Sequence, residues 1–392
     1  MSRRQTTTAW VIAAIAAFAT TGVLAQETVK VAFILPMTGA FTSTGKQVAA
    51  GLRLYAQQAG PIVAGKTIEI IIRDDGGGAD NTKRIAQELI VNDKVDILAG
   101  FGLTPTALAV APLATQAKIP MVVTAAATSI ITERSPYIVR TSFAQAQPVA
   151  ILAQWQATNG IKTAVTLVSD FAPGADSEKF FTESFGRAGG RVIESLRVPL
   201  VNPDFSPFLQ RARDASPDGL YVFVPAGQSA TFIRQFVERG LDKSGIKLFG
   251  AGDITDDDML NGMGAVVVGT LTAYFYSAAH PSDKNKAFVD AFKRANLGMR
   301  PNFFAVSGYD GMHLIYEALK KTNGATNGDN LVEAMKGMAW ESPRGPISID
   351  PQTRDIIQNI YIRRVEEVNG ELYNIEFATF EAVKDPGKAA RP

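Results

Sequence analysis

The stretch Val29-Lys30-Val31-Ala32-Phe33-Ile34-Leu35-Pro36-Met37-Thr38-Gly39 decides how this chain is read. Val29, Val31, Phe33 and Leu35 alternate as a strand does, and Pro36 and Gly39 then break it. Ser43 or Thr44 can cap a helix that carries Val48, Leu52 and Tyr55 on neighbouring turns. The same order then repeats. Ile68, Ile70 and Ile72 form a strand, and Asp80 or Asn81 opens a helix with Ile85, Leu89 and Ile90 on one face. A strand at 95–99, a helix at about 106–117 and a strand at 121–123 follow. Repeated βα units of this length predict a parallel sheet with helices on both faces.

The pattern restarts after Arg140. A helix at 149–157 leads to a strand at 164–168, and a helix carrying Phe180, Phe181 and Phe185 stops at Gly189-Gly190. Strands at 192–198, 220–224 and 247–249 alternate with helices at 208–213 and from Ser229 to Gly240. The expected fold is therefore α/β with two Rossmann-like lobes. The chain has 392 residues, a length that ordinarily splits into more than one core. Ligands of open parallel sheets bind beyond the carboxyl ends of the strands. Here those loops span 36–44, 74–81, 100–106, 124–129, 170–174, 225–229 and 250–256, and they are rich in Gly, Ala, Ser and Thr. Small residues let a ligand approach backbone N–H groups at helix starts, which favour anions.

The first residues predict export. Arg3 and Arg4 give a positive start, residues 10–20 are apolar, and Val23-Leu24-Ala25 ends in the small residue that a signal peptidase reads. The apolar run is shorter than a bilayer span requires. Cleavage after Ala25 would take the formal net charge from +1 to −1 by removing Arg3 and Arg4. With no Cys, a lipid anchor, disulfides and thiolate metal sites are all excluded. A near-neutral chain without a basic stripe argues against nucleic acid as a partner.

Catalytic constellations are missing. His280 and His313 are the only histidines, and His313 shares an apolar helical period with Ile315 and Leu319, which reads as packing or surface. There is no G-x-S-x-G elbow, no G-x-G-x-x-G and no Walker A pattern. Asp256-Asp257-Asp258 invites a cation, but three adjacent carboxylates on a helix cannot all face one ion, so a solvated N-terminal turn is expected. No metal site and no cofactor are predicted, and the chain is not read as an enzyme.

The loops, in this order, resemble the leucine/isoleucine/valine-binding family of periplasmic receptors for ABC importers. The opening strand with Met37-Thr38-Gly39 looks like the family's first strand and its Leu-Thr-Gly turn. Gly45 and Gly51, Arg73-Asp74-Asp75, Val91-Asn92-Asp93-Lys94-Val95-Asp96, Ala126-Ala127-Thr128-Ser129 and Ser169-Asp170 resemble further family stretches, in order. The resemblance covers nearly the whole mature chain. It implies a type I fold: two lobes with parallel sheets, joined by a three-strand hinge crossing near Gln145, Ser277 and Ser348. The implied division is a leader at 1–25, lobe 1 at 26–145 and 278–347, lobe 2 at 146–277 and 348–383, and a flexible tail at 384–392. A closing strand at 356–363 would return to lobe 2.

The resemblance further implies a monomer in the periplasm that captures a small ligand with a carboxylate and delivers it to ABC permease subunits. Carried over position by position, Thr104, Ala126 and Thr128 would hold the carboxylate, and Asp253 an ammonium. Simple helix capping is the competing account of the two threonines. Thr44 stands where the family often has Tyr. Phe101 and Phe171 are candidates to flank an apolar ligand side chain, with core packing as the alternative for either. A branched-chain or other apolar amino acid is the leading ligand class. An aromatic acid, an amide or a short carboxylate is the alternative within the same role, and a ligand sensor for a membrane receptor is another.

Overall fold

The computed structural model describes residues 27–388, so the leader expected at 1–25 lies outside the described residues. Two sheets organise the chain. The first contains β1 (Thr28–Leu35), β2 (Ile62–Val63), β3 (Lys66–Asp74), β4 (Ile97–Gly100), β5 (Met121–Val123) and β6 (Ile138–Arg140), in the spatial order β2-β3-β1-β4-β5-β6. All its pairings are parallel except β2 with β3. β1 is buried on both faces: Val31, Phe33 and Leu35 enter one apolar cluster, while Ala32 and Ile34 enter another with Ile85, Leu89 and Val110. A central parallel strand covered on both sides needs no polar face, which is why β1 is apolar and buried from Val31 to Leu35.

The second sheet contains β7 (Thr163–Ser169), β8 (Arg191–Val198), β9 (Gly219–Phe223), β10 (Lys247–Ala251), β11 (Leu271–Tyr274), β12 (Ala339–Ser342), β13 (Gly345–Ile349), β14 (Ile356–Val368) and β15 (Glu371–Val383). Its order is β12-β13-β14-β11-β10-β9-β7-β8, with β15 on β14. The strands β7 to β11 run parallel, and β12 to β15 add antiparallel ladders.

The chain passes between sheets three times. The first passage follows β6 and the second follows β11. The third was expected near Ser348, but Ala339 already pairs with Ser348 inside the second sheet. The β12–β13 hairpin is short and turns at Pro343-Arg344, so it offers too few residues for a period to be read. The described part of the expected flexible tail is ordered instead. Residues 384–388 are docked: Asp385 is buried, Lys384 meets Asp350 at 3.0 Å and Lys388 meets Glu133 at 3.0 Å.

Helices Thr42–Ala59 and Phe303–Lys321 pack closely on the first sheet. Their approach depends on two missing side chains. A Cβ on Gly51 would lie 1.9 Å from the Ala305 carbonyl oxygen, and one on Gly308 would lie 2.4 Å from that of Val48. Backbone cannot yield to such contacts without separating the helices. Gly51→Ala is expected to destabilise the protein by about 1–3 kcal/mol, the usual range for overpacking. A denaturation midpoint unchanged from wild type would refute this.

Candidate functional site

The cleft is built where strand ends of both sheets face each other. β4 ends at Gly100, and helix Thr104–Ala117 starts just beyond it. β5 ends at Val123 and feeds the loop holding Ala125, Ala126, Ala127 and Thr128. These two loops bring together Thr104 and Thr128, whose hydroxyls are 2.7 Å apart and buried. The Thr128 carbonyl accepts from Arg140 Nη1 at 2.8 Å, and the Ser129 N–H donates to Asp176 at 3.1 Å. The loop is thus braced from behind. Ala126 lines the cavity, but its N–H donates to the Phe101 carbonyl at 3.0 Å, so that donor is already engaged.

The cavity holds about 440 Å³ of space between atoms, open solvent at its mouth included. Thr44, Thr104, Ala126, Phe171 and Asp253 line it. Thr128 stands behind Thr104. Phe101 does not line it: this residue is fully buried with a positive φ of 67° and belongs to the core cluster beside the first sheet. Of the two readings left open for Phe101, core packing is the one the structure gives. Sequence reasoning missed most of the apolar wall, which consists of Phe41, Phe143, Phe223 and Phe304 together with Phe171. Phe171 stacks on Phe223 at 6.0 Å between ring centres. Phe41 lies in a loop already marked as facing the cleft, and Phe223 ends β9 just before another. Phe304 comes from a helix about 200 positions after that first-sheet loop cluster and carries no local signal.

Among the described residues Asp253 is the one charged side chain lining this cavity. It is buried, and Tyr274 donates to its Oδ2 at 3.0 Å. Burial pushes its carboxyl up to about 7, against the smaller opposing effects of the Tyr274 hydroxyl and the more distant Arg363. Gln145 also lines the cavity: it is fully buried and its Nε2 donates to Ser177 at 2.9 Å.

Asp256 and Asp257 are not a solvated turn. Both are buried. Asp256 accepts from Asn302 at 2.8 Å, and Asp257 accepts from Asn374 at 3.1 Å. Burial is the main cause that raises both carboxyls, Asp257 to about 6. His313 packs as expected, 3.1 Å from the Tyr55 hydroxyl and against Trp340. Among the described residues no group of three or more His, Cys, Asp or Glu is placed to hold a metal ion.

Two α/β lobes with a hydroxyl-lined, phenylalanine-walled cleft between their strand ends define a type I solute receptor. The chain belongs to the periplasmic binding protein family, whose profile matches residues 28–371. It is the periplasmic solute-binding component of an ABC transporter, and the family and its structural neighbours are solute-binding proteins. It is 42% identical to Leu/Ile/Val-binding protein homolog 6 of Brucella melitensis biotype 1, over 93% of this chain and 95% of that protein. Among solved structures it resembles a solute-binding protein of an ABC transporter from Rhodopseudomonas palustris BisB5 in complex with 3,4-dihydroxybenzoic acid. That pair shares 64% identity with a TM-score of 0.91, covering 92% of this chain and 99% of the other. A second R. palustris solute-binding protein, in complex with 4-hydroxybenzoate, is 40% identical with a TM-score of 0.90, covering 93% of this chain and all of that one. A leucine-binding protein from Thermotoga maritima is more distant, at 26% identity and a TM-score of 0.80, covering 90% and 99%.

Proposed function

We propose that this receptor captures an aromatic carboxylate rather than an aliphatic amino acid. The observation that carries the reading is the wall of five phenylalanines, which offers flat apolar surface to a ring. The leading expectation from sequence, an amino acid, needs a carboxylate for the ligand ammonium once water is excluded. Among the described residues Asp253 is the charged group that lines the cavity, and burial raises its carboxyl to about 7, which adds a cost to holding it ionised beside an ammonium. An aromatic acid makes no such demand. Its carboxylate would meet the Thr104 hydroxyl, with Thr128 and the Ala126 loop behind it, and charge-assisted bonds of that kind are strong in a dry site. The ligands of the two R. palustris relatives support the same class.

Closure of the two lobes would complete the site, as in other periplasmic binding proteins, a type example of hinge motion. The leader read at 1–25 would deliver the chain to the compartment where this happens. Calorimetry of the purified protein at pH 7.5 with benzoate, 4-hydroxybenzoate, 3,4-dihydroxybenzoate and leucine tests the reading. The aromatic acids are expected to bind at least tenfold more tightly than leucine. Tighter binding of leucine would sink it.

A further inference from the structure

We propose that Gln145 and Asp253 form a pair of acceptors that reads ring hydroxyls, so that the preferred ligand is a hydroxylated benzoate and not benzoate itself. This rests on the aromatic-acid reading above and adds to it the residues that set specificity.

The argument starts from unmet hydrogen-bonding capacity. Gln145 is fully buried and lines the cavity, and its Oε1 has no partner. Its position is fixed at two points. The backbone N–H donates to the Ala127 carbonyl at 2.8 Å, and Nε2 donates to Ser177 Oγ at 2.9 Å. In this orientation Nε2 serves Ser177, and Oε1 is the edge of the amide left without a partner. Buried polar atoms are almost always paired, and an unpaired one on a cavity wall points to a group that arrives with the ligand.

Asp253 supplies the second acceptor. Tyr274 occupies its Oδ2 at 3.0 Å, and Asp253 lines the cavity. Tyr221 ties the two residues to one patch. Its buried hydroxyl feels the Asp253 charge and lies beside Ser177 and Gln145, yet makes a regular hydrogen bond to neither. The rest of the lining is phenylalanine, alanine, proline, Gly102, Leu103 and the two threonines Thr44 and Thr104. In the proposed pose a ligand with its carboxylate at Thr104 sets its ring against the phenylalanines and a ring hydroxyl at Gln145 and Asp253. Phenol hydroxyls donate, and both residues accept. An ionised Asp253 accepts directly, and a neutral one can also donate back to the phenol oxygen, so the contact survives either state. Unsubstituted benzoate would leave the Gln145 oxygen buried and unpaired. Sites that hydrogen-bond a ligand hydroxyl discriminate strongly against analogues lacking it.

The test is calorimetry of the full mature chain, wild type and Gln145→Met, with benzoate, 4-fluorobenzoate, 4-hydroxybenzoate and 3,4-dihydroxybenzoate. For wild type, 4-hydroxybenzoate is expected to bind at least tenfold more tightly than benzoate or 4-fluorobenzoate, with 3,4-dihydroxybenzoate tightest. Gln145→Met should weaken the hydroxylated ligands at least tenfold more than it weakens benzoate. Equal wild-type affinity for benzoate and its hydroxylated forms would overturn this inference while leaving the aromatic-acid reading intact. An equal loss for all ligands in Gln145→Met would also overturn it, because a merely structural role predicts that result. If Gln145→Met does not fold, the comparison of 4-fluorobenzoate with 4-hydroxybenzoate on wild type still decides, since fluorine fills the space without donating. If no aromatic acid binds, the reading of the site and this inference fall together.

Discussion

Arg140→Leu is expected to cost about 3–5 kcal/mol of stability, the range for breaking a buried ion pair on one side. Arg140 is fully buried, with Nε and Nη2 on the two oxygens of Asp355 at 2.7 and 2.6 Å. Asp385 lies a further 3.6 Å away from Nη2. Burial alone would lower the guanidinium, and the Asp355 carboxylate outweighs it and holds the group above its ordinary value. Leucine would leave Asp355 and Asp385 facing each other in a dry site. It would also release the Thr128 carbonyl, which takes Nη1 at 2.8 Å, and so loosen the loop that carries the proposed carboxylate site. The denaturant midpoint should fall and affinity for any carboxylate ligand should fall with it. The double change Arg140→Leu with Asp355→Leu should recover part of the lost stability, since the stranded charge is then gone. A cost below about 1 kcal/mol for Arg140→Leu would contradict this account.

The second large effect depends on pH. Asp253 has its carboxyl pushed up to about 7 by burial, from an ordinary value of 3.8. The folded protein therefore holds this proton more tightly than the unfolded chain. The stability it contributes is fully present below about pH 4 and is lost as pH rises through about 7. A displacement of that size corresponds to on the order of 4 kcal/mol. Asp253→Asn removes the cost of ionisation while its amide oxygen can still accept from Tyr274. The variant is expected to melt near the wild-type temperature at pH 3.5 and several degrees above it at pH 8.5. Asp257 and Asp385, each raised to about 6, act in the same direction and remain in both proteins, so the difference isolates Asp253. Equal melting differences at the two pH values would refute the assignment.

The parts of this molecule that were legible from sequence are the local ones. Val29 to Leu35 announces β1 because its period and its Pro36 break are both local, and the loops that follow strand ends could be named before any contact was known. Thr104 and Thr128 meet because both sit just past neighbouring strands, so parallel-sheet topology alone brings them together. The Phe41, Phe223 and Phe304 wall was not legible, since a phenylalanine near a cleft has the same local pattern as one in a core. Phe101 shows the converse: its loop faces the cleft while a positive φ turns its ring inward. Asp256 and Asp257 read as a solvated run because their partners Asn302 and Asn374 lie far along the chain.

The order of strands also constrains how the molecule can be made. The first sheet is assembled from residues 28–140 alone, in one uninterrupted stretch. The second is different. β11 is complete at Tyr274, but its neighbour β14 does not begin until Ile356, after the intervening chain has returned to cover the first sheet. A nascent or partly translocated chain therefore presents β11 as an open edge, with unpaired backbone groups ready to pair with another molecule. Lobes whose closing strand arrives last fold slowly, because long-range pairing must wait for distant chain. The receptor can finish its ligand cleft only when nearly all of its sequence has emerged, which makes binding competence a property of the completed chain and leaves the unfinished one in need of protection.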